Sequence, residues 1–242
     1  MIETGTAQSF LSPANREGAK DPMCGRYSLT KPIKTLKEHF QAIALDMDHD
    51  KRYNIAPGQS APIVIAGEQG REIHAMRWGL IPSWAKDPAL GNKLINARAE
   101  TVHEKPSFRS SFRKRRCLVP ADGFYEWQVR DNGKVPQYIR MRTGGLFAFA
   151  GLWSEWDSGK EILQTFTIIT TTANPELESI HHRMPVILMP QDYDSWLTPS
   201  SKNFHNLMKP LGEGLLDHYE ISKTVNSPKN DSEECVKSLA DS

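Results

Sequence analysis

Apolar positions along the chain follow two periods. Over 32–43 (PIKTLKEHFQAI), Ile33, Leu36, Phe40 and Ile43 recur at helical spacing behind Pro32, which suits a first turn, so a short amphipathic helix is predicted. Strand character then takes over. The segments APIVIA, EIHAMRW, RCLVP, GFYEWQV, QYIRMR, LFAFAGLW, LQTFTIITTT, PVILM and HYEIS are rich in β-branched and aromatic residues, and turn residues separate most of them. Asp131-Asn132-Gly133 and Thr143-Gly144-Gly145 each lie between alternating segments and predict two successive hairpins. Short helices are expected in the gaps, at 97–104, 106–112, 174–180, 190–197 and 203–209. The pattern defines one α+β domain over 23–226, β-rich and mainly antiparallel, with short peripheral helices. Residues 1–22 lack periodicity and read as a disordered extension or a start placed too early, and 227–242 as a polar tail, partly ordered at most.

Composition narrows the function classes. The chain has 242 residues, 38% hydrophobic and 24% charged, with 30 Lys+Arg against 29 Asp+Glu, which is ordinary for a globular protein. No apolar run approaches the roughly 18 residues of a membrane span, and the first 22 residues lack a basic start and an apolar h-region. A secreted or membrane protein is therefore not expected, and the cytoplasm is the expected compartment. Cys24, Cys117 and Cys235 are scattered without CxxC spacing, which fits neither a disulfide framework nor a thiolate zinc site. Charge is uneven. Residues 93–116 hold eight basic side chains against Glu100 and Glu104, a candidate surface for an anionic partner.

Cys24 follows Met23 in Met-Cys-Gly-Arg-Tyr, and a small residue after an initiator Met normally allows removal of that Met. If translation starts at Met23, Cys24 is the N-terminus. A terminal Cys is a 1,2-aminothiol: its amine condenses with an aldehyde to an imine, which the thiol traps as a thiazolidine. The α-amine, with a pKa near 7.7–8.0 against about 10.4 for Lys, is a few hundred-fold richer in its neutral nucleophilic form at pH 7. The alternative is that Cys24 is an internal residue at the start of a strand. With residues 1–22 attached, the amine is an amide and this chemistry is closed.

Four other positions carry alternatives. Asn96, where an apolar run meets a helix-compatible one, is either an N-cap or a fixed amide beside a reacting centre, with Arg98 contacting a phosphate at the helix start. Glu126 in Gly-Phe-Tyr-Glu-Trp shares a strand face with Phe124 and Gln128, while Tyr125 and Trp127 point the other way. It is either a solvated strand residue or a carboxylate of raised pKa poised for proton transfer. His181 and His182 precede Arg183-Met184-Pro185, and His181 is either a loop histidine capping backbone groups or an acid/base near pH 6.5. The chain has no HExxH or HxH motif, so no metal site is expected. Trp78 and Trp84 flank a Gly/Pro turn. Trp78 reads as a core anchor, and Trp84 as either core or an exposed stacking wedge for unpaired bases.

Six separated motifs together carry a resemblance: Met23-Cys24-Gly25-Arg26-Tyr27, Tyr53-Asn54-Ile55-Ala56-Pro57-Gly58, Trp78-Gly79-Leu80-Ile81-Pro82, Ile95-Asn96-Ala97-Arg98-Ala99-Glu100-Thr101, Arg116 to Trp127, and Ile180-His181-His182-Arg183-Met184-Pro185. In this order they resemble the SOS-response-associated peptidase (SRAP) family, from Met23 to about residue 236. The resemblance implies a mostly β fold with a positively charged groove for single-stranded DNA, and covalent attachment to abasic sites through an N-terminal Cys. By the same resemblance Cys24 attacks the open-chain aldehyde and closes the ring, Asn96 positions ring and sugar, Glu126 shuttles protons, and His181 assists imine formation and reversal. Arg26, Arg98 and Thr170 match DNA or active-site contacts, and Trp84 an aromatic near the strand junction. His182 stands where the family often has Asp. The resemblance implies single-stranded DNA with abasic sites as the partner, a monomer, association with the nucleoid when DNA-bound, and no cofactor. A thiol (auto)peptidase using Cys24 and His181, and a non-catalytic reader of single-stranded or modified DNA, are the two alternatives.

Overall fold

The computed structural model describes residues 25–44, 47–201 and 204–241. Cys24 and the 1–22 extension lie outside the described residues. In chain order the elements are β1 (Tyr27–Leu29), α1 (Ile33–Phe40), β2 (Ala42–Ala44), β3 (Arg52–Ile55), β4 (Ser60–Gly67), β5 (Gly70–Trp78), β6 (Asn96–Arg98), α2 (Arg109–Lys114), β7 (Arg116–Ala121), β8 (Gly123–Arg130) and β9 (Gly133–Met141). There follow β10 (Phe147–Asp157), β11 (Ile162–Thr172), α3 (Pro175–Glu178), β12 (Arg183–Pro185), β13 (Ile187–Leu188), α4 (Tyr193–Leu197) and β14 (Leu216–Glu220). One sheet runs β14-β9-β8-β1-β3. The other runs β12-β11-β10-β7-β4-β5-β2, with β13 on β10 and β6 on β11. Because β5 also pairs β11 in parallel, strands β11, β10, β7, β4 and β5 close into a small barrel, which removes the free edges of those strands. Most other pairs are antiparallel, so the β-rich, mainly antiparallel α+β class expected from the pattern is the observed one.

Both faces of β7 and of the first half of β10 are covered, which explains their continuous apolar runs. Residues 147–152 of β10 and 116–121 of β7 are buried throughout. Aromatic rings fill the join between the sheets: Tyr27 of β1 meets Trp78 edge-on at 5.3 Å and Phe149 at 5.9 Å, and Trp78 stacks on Phe166. Truncating any one of these rings would cost about 3–5 kcal/mol. Gly123 opens β8 where a side chain is excluded, since a Cβ there would lie 2.2 Å from the Tyr138 ring. A smaller cluster of Tyr125, Tyr138, Ile221, Val225 and Cys235 packs on the other side.

Four sequence expectations are corrected. The helix begun at Ile33 stops at Phe40, because Gln41 turns left-handed (φ 48°) and Ala42–Ala44 leaves as a strand beside β5. No helix spans 97–104: residues 96–98 pair in parallel with β11, and the chain then makes successive turns from the Arg98 carbonyl. Asn96 is thus a strand residue rather than an N-cap. Asp131-Asn132 closes the β8–β9 hairpin as predicted, with Arg130 opposite Gly133. The Thr143-Gly144-Gly145 turn closes no hairpin but carries the chain from one sheet to the other. Finally, the segment expected as a polar tail is packed. The Asp231 carboxylate accepts from the main-chain N–H groups of Tyr53 and Asn54 and pairs with Arg52, and Cys235 is fully buried. Its polarity serves internal bonds, which composition alone does not distinguish from solvation.

The basic stretch is likewise divided. Arg116 is buried, donating to the carbonyls of Trp196, Phe112 and Thr198, with its guanidinium 3.9 Å from the Phe204 ring centre. Arg115 pairs with Glu155 at 2.9 Å. Lys93, Arg98, Lys105, Arg109, Arg113 and Lys114 remain exposed.

Candidate functional site

A cleft of about 430 Å³ opens where the two sheets meet, lined by Gly25, Arg26, Ile95, Glu126, Trp127, Lys134, His181 and Asn226 among others. Each wall has a local cause. On β8, alternation puts Tyr125 into the smaller cluster and Glu126 on the opposite face, where it is 4% exposed, so it is not a solvated strand residue. Trp127 packs against the smaller cluster, as alternation requires, and reaches the cleft along its rim, its Nε1 donating to Asn226 Oδ1 at 2.8 Å. Ile95 is brought to the cleft by the buried Trp78, whose Nε1 donates to its carbonyl at 2.8 Å. Asn96 is the next residue and heads β6.

His181 follows α3, whose N-cap Asn174 accepts from the Leu177 N–H. Its Nδ1 sits 3.1 Å from the Arg183 nitrogen and 3.2 Å from the Arg183 carbonyl oxygen. In either tautomer Nδ1 is engaged by the main chain, which leaves Nε2 as the ring nitrogen turned away from that contact. The His182 ring stacks on that of His181 at 4.4 Å. Beneath this turn the buried Arg183 guanidinium holds both Glu100 carboxylate oxygens, at 2.7 and 3.1 Å, and the Thr170 carbonyl at 2.6 Å. Burial acts to raise the Glu100 carboxyl, but the Arg183 hydrogen bonds and charge outweigh it and hold the group below the usual carboxylate range.

Arg26 enters the cleft half-buried. Its Nη1 donates to Asn54 Oδ1 at 2.8 Å and the Val225 carbonyl at 2.7 Å, Nη2 donates to the Asn226 carbonyl at 3.2 Å, and the group lies over the Trp127 ring. Desolvation lowers its pKa, with no consequence for its charge near neutrality.

The structure therefore brings Arg26, Glu126 and His181 to one cleft, with Asn96 next to a lining residue. Arg98 is exposed on β6, opposite Thr170 in the ladder, and Thr170 is buried with its hydroxyl facing Arg183 at 3.3 Å. Trp84 is elsewhere. It is 58% exposed and borders a second concavity of about 440 Å³ with Ser83, Ser107, Ser110 and Lys114, whereas Trp78 is fully buried. Among the described cysteines, burial pushes the thiols of Cys117 and Cys235 up in pKa, so neither is activated as a nucleophile. Among the described residues no helix is long and apolar enough to cross a membrane. Asn54, Trp127, Lys134 and Asn226 were not singled out from sequence. Asn54 stands in the Tyr53–Gly58 motif and Trp127 ends the Arg116–Trp127 motif, and membership of those motifs was the available signal.

The SOS response associated peptidase (SRAP) family matches residues 23–228. The chain belongs to that family. It is 41% identical over 223 residues to the abasic site processing protein YoqW of Bacillus subtilis, covering 89% of this chain and all of that one. It is 35% identical over 219 residues to the abasic site processing protein HMCES of Gallus gallus, covering 76% of this chain and 65% of that one. A crystal structure of a Bacteroides thetaiotaomicron protein superposes with a TM-score of 0.82 at 30% identity, over 89% of this chain and all of that one.

Proposed function

We propose that this protein processes abasic sites in single-stranded DNA by covalent capture, with Cys24 as the N-terminal residue of the reacting form. The carrying observation is that Gly25, the residue bonded to Cys24, lines the same cleft as the buried Glu126 and the His181 ring. Cys24 is bonded to that lining residue, and consecutive Cα atoms are about 3.8 Å apart, so in this reading its aminothiol acts at the cleft. Named relatives that process abasic sites support the substrate class.

In this reading the neutral α-amine adds to the C1′ aldehyde of the ring-opened sugar. Glu126 relays a proton to the carbinolamine oxygen, which leaves as water, and the C=N bond forms. The Cys24 thiol then adds to the imine carbon, its proton passing to the ring nitrogen. One C–N and one C–S bond form, the C=O bond is lost, and one water is released, with no oxidant or reductant. His181, through Nε2, supplies and withdraws the proton of the imine nitrogen in formation and reversal. Asn96 orients the sugar, while Arg98 and the Trp84 concavity hold flanking phosphate and base.

The test is the intact mass of the product formed by the chain beginning at Cys24 with an oligonucleotide carrying one abasic site. The expected mass is the sum of the two components less one water, stable to heat. Cys24→Ser should give only a labile species, since its hydroxyl closes the ring poorly. A product unaffected by Cys24→Ala, or retained with residues 1–22 attached, would contradict the reading.

A further inference from the structure

Asn54 is fully buried and every polar atom of its side chain is used. Its Nδ2 donates to the carbonyls of Val225, Ser227 and Asn230 at 3.1, 3.0 and 2.7 Å, and its Oδ1 accepts from Arg26 Nη1 at 2.8 Å. The same segment of chain, residues 225–231, returns three hydrogen bonds to the cleft side: the Val225 and Asn226 carbonyls accept from Arg26, and Asn226 Oδ1 accepts from Trp127. Asp231 closes the loop from behind by accepting from the Tyr53 and Asn54 N–H groups. One amide thus fastens three stretches distant in sequence, namely the start of the described chain, β3 and the C-terminal strap.

We propose that Asn54 is a positioning residue for the crosslinking reaction, acting through Arg26 and the strap to fix the direction in which the chain approaches residue 24 at the cleft. The inference rests on the crosslinking reading above. Arg26 is two residues from Cys24 in sequence, and its guanidinium is anchored at three points, so the described chain nearest the aminothiol is fixed at the cleft. Orientation of this kind acts on the rate within the bound complex rather than on binding. Asn54 itself touches no substrate.

The experiment measures adduct formation on a single-stranded abasic oligonucleotide in single turnover, with every chain beginning at Cys24, for wild type, Asn54→Ala, Asp231→Asn and the distant core variant Leu36→Ala. Asn54→Ala is expected to lower the maximal rate about 30-fold while the half-saturating oligonucleotide concentration stays within about threefold. Asp231→Asn is expected to lower the maximal rate several-fold by loosening the strap. Leu36→Ala, matched for loss of melting temperature, is expected to retain the wild-type maximal rate when folded. An unchanged maximal rate in Asn54→Ala, or a fall no larger than in Leu36→Ala, overturns the proposal. If Asn54→Ala does not fold, Asp231→Asn decides, and an unchanged maximal rate in it overturns the proposal. Absence of adduct with wild type beginning at Cys24 removes the crosslinking reading itself, a separate failure from a reactive wild type with indifferent variants.

Discussion

Two concavities of nearly equal volume, about 430 and 440 Å³, differ in how their side chains are held. In the cleft, Glu126 is buried, Arg26 is anchored at three points and the His181 ring is fixed through Nδ1. Around Trp84 the lining is an exposed indole with serines, Lys114 and the ion-paired Arg115 and Glu155, drawn from turns, α2 and the ends of β10 and β11. A buried, bonded side chain has been desolvated and oriented before any ligand arrives, which suits proton transfer to a defined atom. An exposed ring beside Lys114 gains its energy only on contact, which suits sequence-tolerant stacking. Changes in the first concavity should therefore act on rate, and changes in the second on binding.

The largest expected effect is Glu126→Gln, which should slow adduct formation about a hundredfold at saturating oligonucleotide while fluorescence anisotropy shows unmodified single strands bound as before. A rise in the half-saturating concentration with an unchanged maximal rate would erase the distinction. Next, Trp84→Ala should raise the dissociation constant for single strands about tenfold, as expected for loss of one stacked base, and leave the maximal rate within about twofold. Third, Glu100→Gln should lower stability by about 1 kcal/mol in thermal unfolding, the modest figure reflecting that the Glu100 side chain is 47% exposed. The sign with pH follows from its lowered pKa. The folded carboxyl sits below its unfolded value, so the contribution is complete above the unfolded value and is lost as pH falls through the folded one. The stability difference between wild type and Glu100→Gln should accordingly shrink in acid. The smallest effect is Arg98→Ala, which should reduce the slope of log affinity against log salt by about 0.7, one phosphate contact's worth for a single strand. An unchanged slope would remove Arg98 from the contact surface.

The two regions also differed in how much the sequence disclosed. Strands were legible wherever β-branched and aromatic runs ended in turn residues, and the Asp131-Asn132-Gly133 hairpin was read to the residue because its turn geometry is local. Thr143-Gly144-Gly145 carries an equally strong local signal, yet its flanking strands find partners in different sheets, and pairing is a tertiary choice. The same cause undid the helix expected at 97–104, whose first residues are held by β11. Glu126 stood out as an ionisable group among large apolar side chains, and His181 as a side chain whose ordinary pKa suits proton exchange near neutrality. Asn54 did not, since nothing near it in sequence reveals that residues 225–231 fold back onto it. Nor did the divided role of the basic stretch, in which Arg116 serves the core and its exposed neighbours face solvent.

The central claim is that a free Cys24 makes a covalent bond to an abasic strand. It is tested most directly on a denaturing gel, with the chain begun at Met23 and the Met removed, the full-length form, and Cys24→Ala, each mixed with a single-stranded oligonucleotide bearing one abasic site. A heat-stable shifted band only where Cys24 is free is the predicted result. No band despite a mass-verified free Cys24, or an equal band with Cys24→Ala, would contradict it.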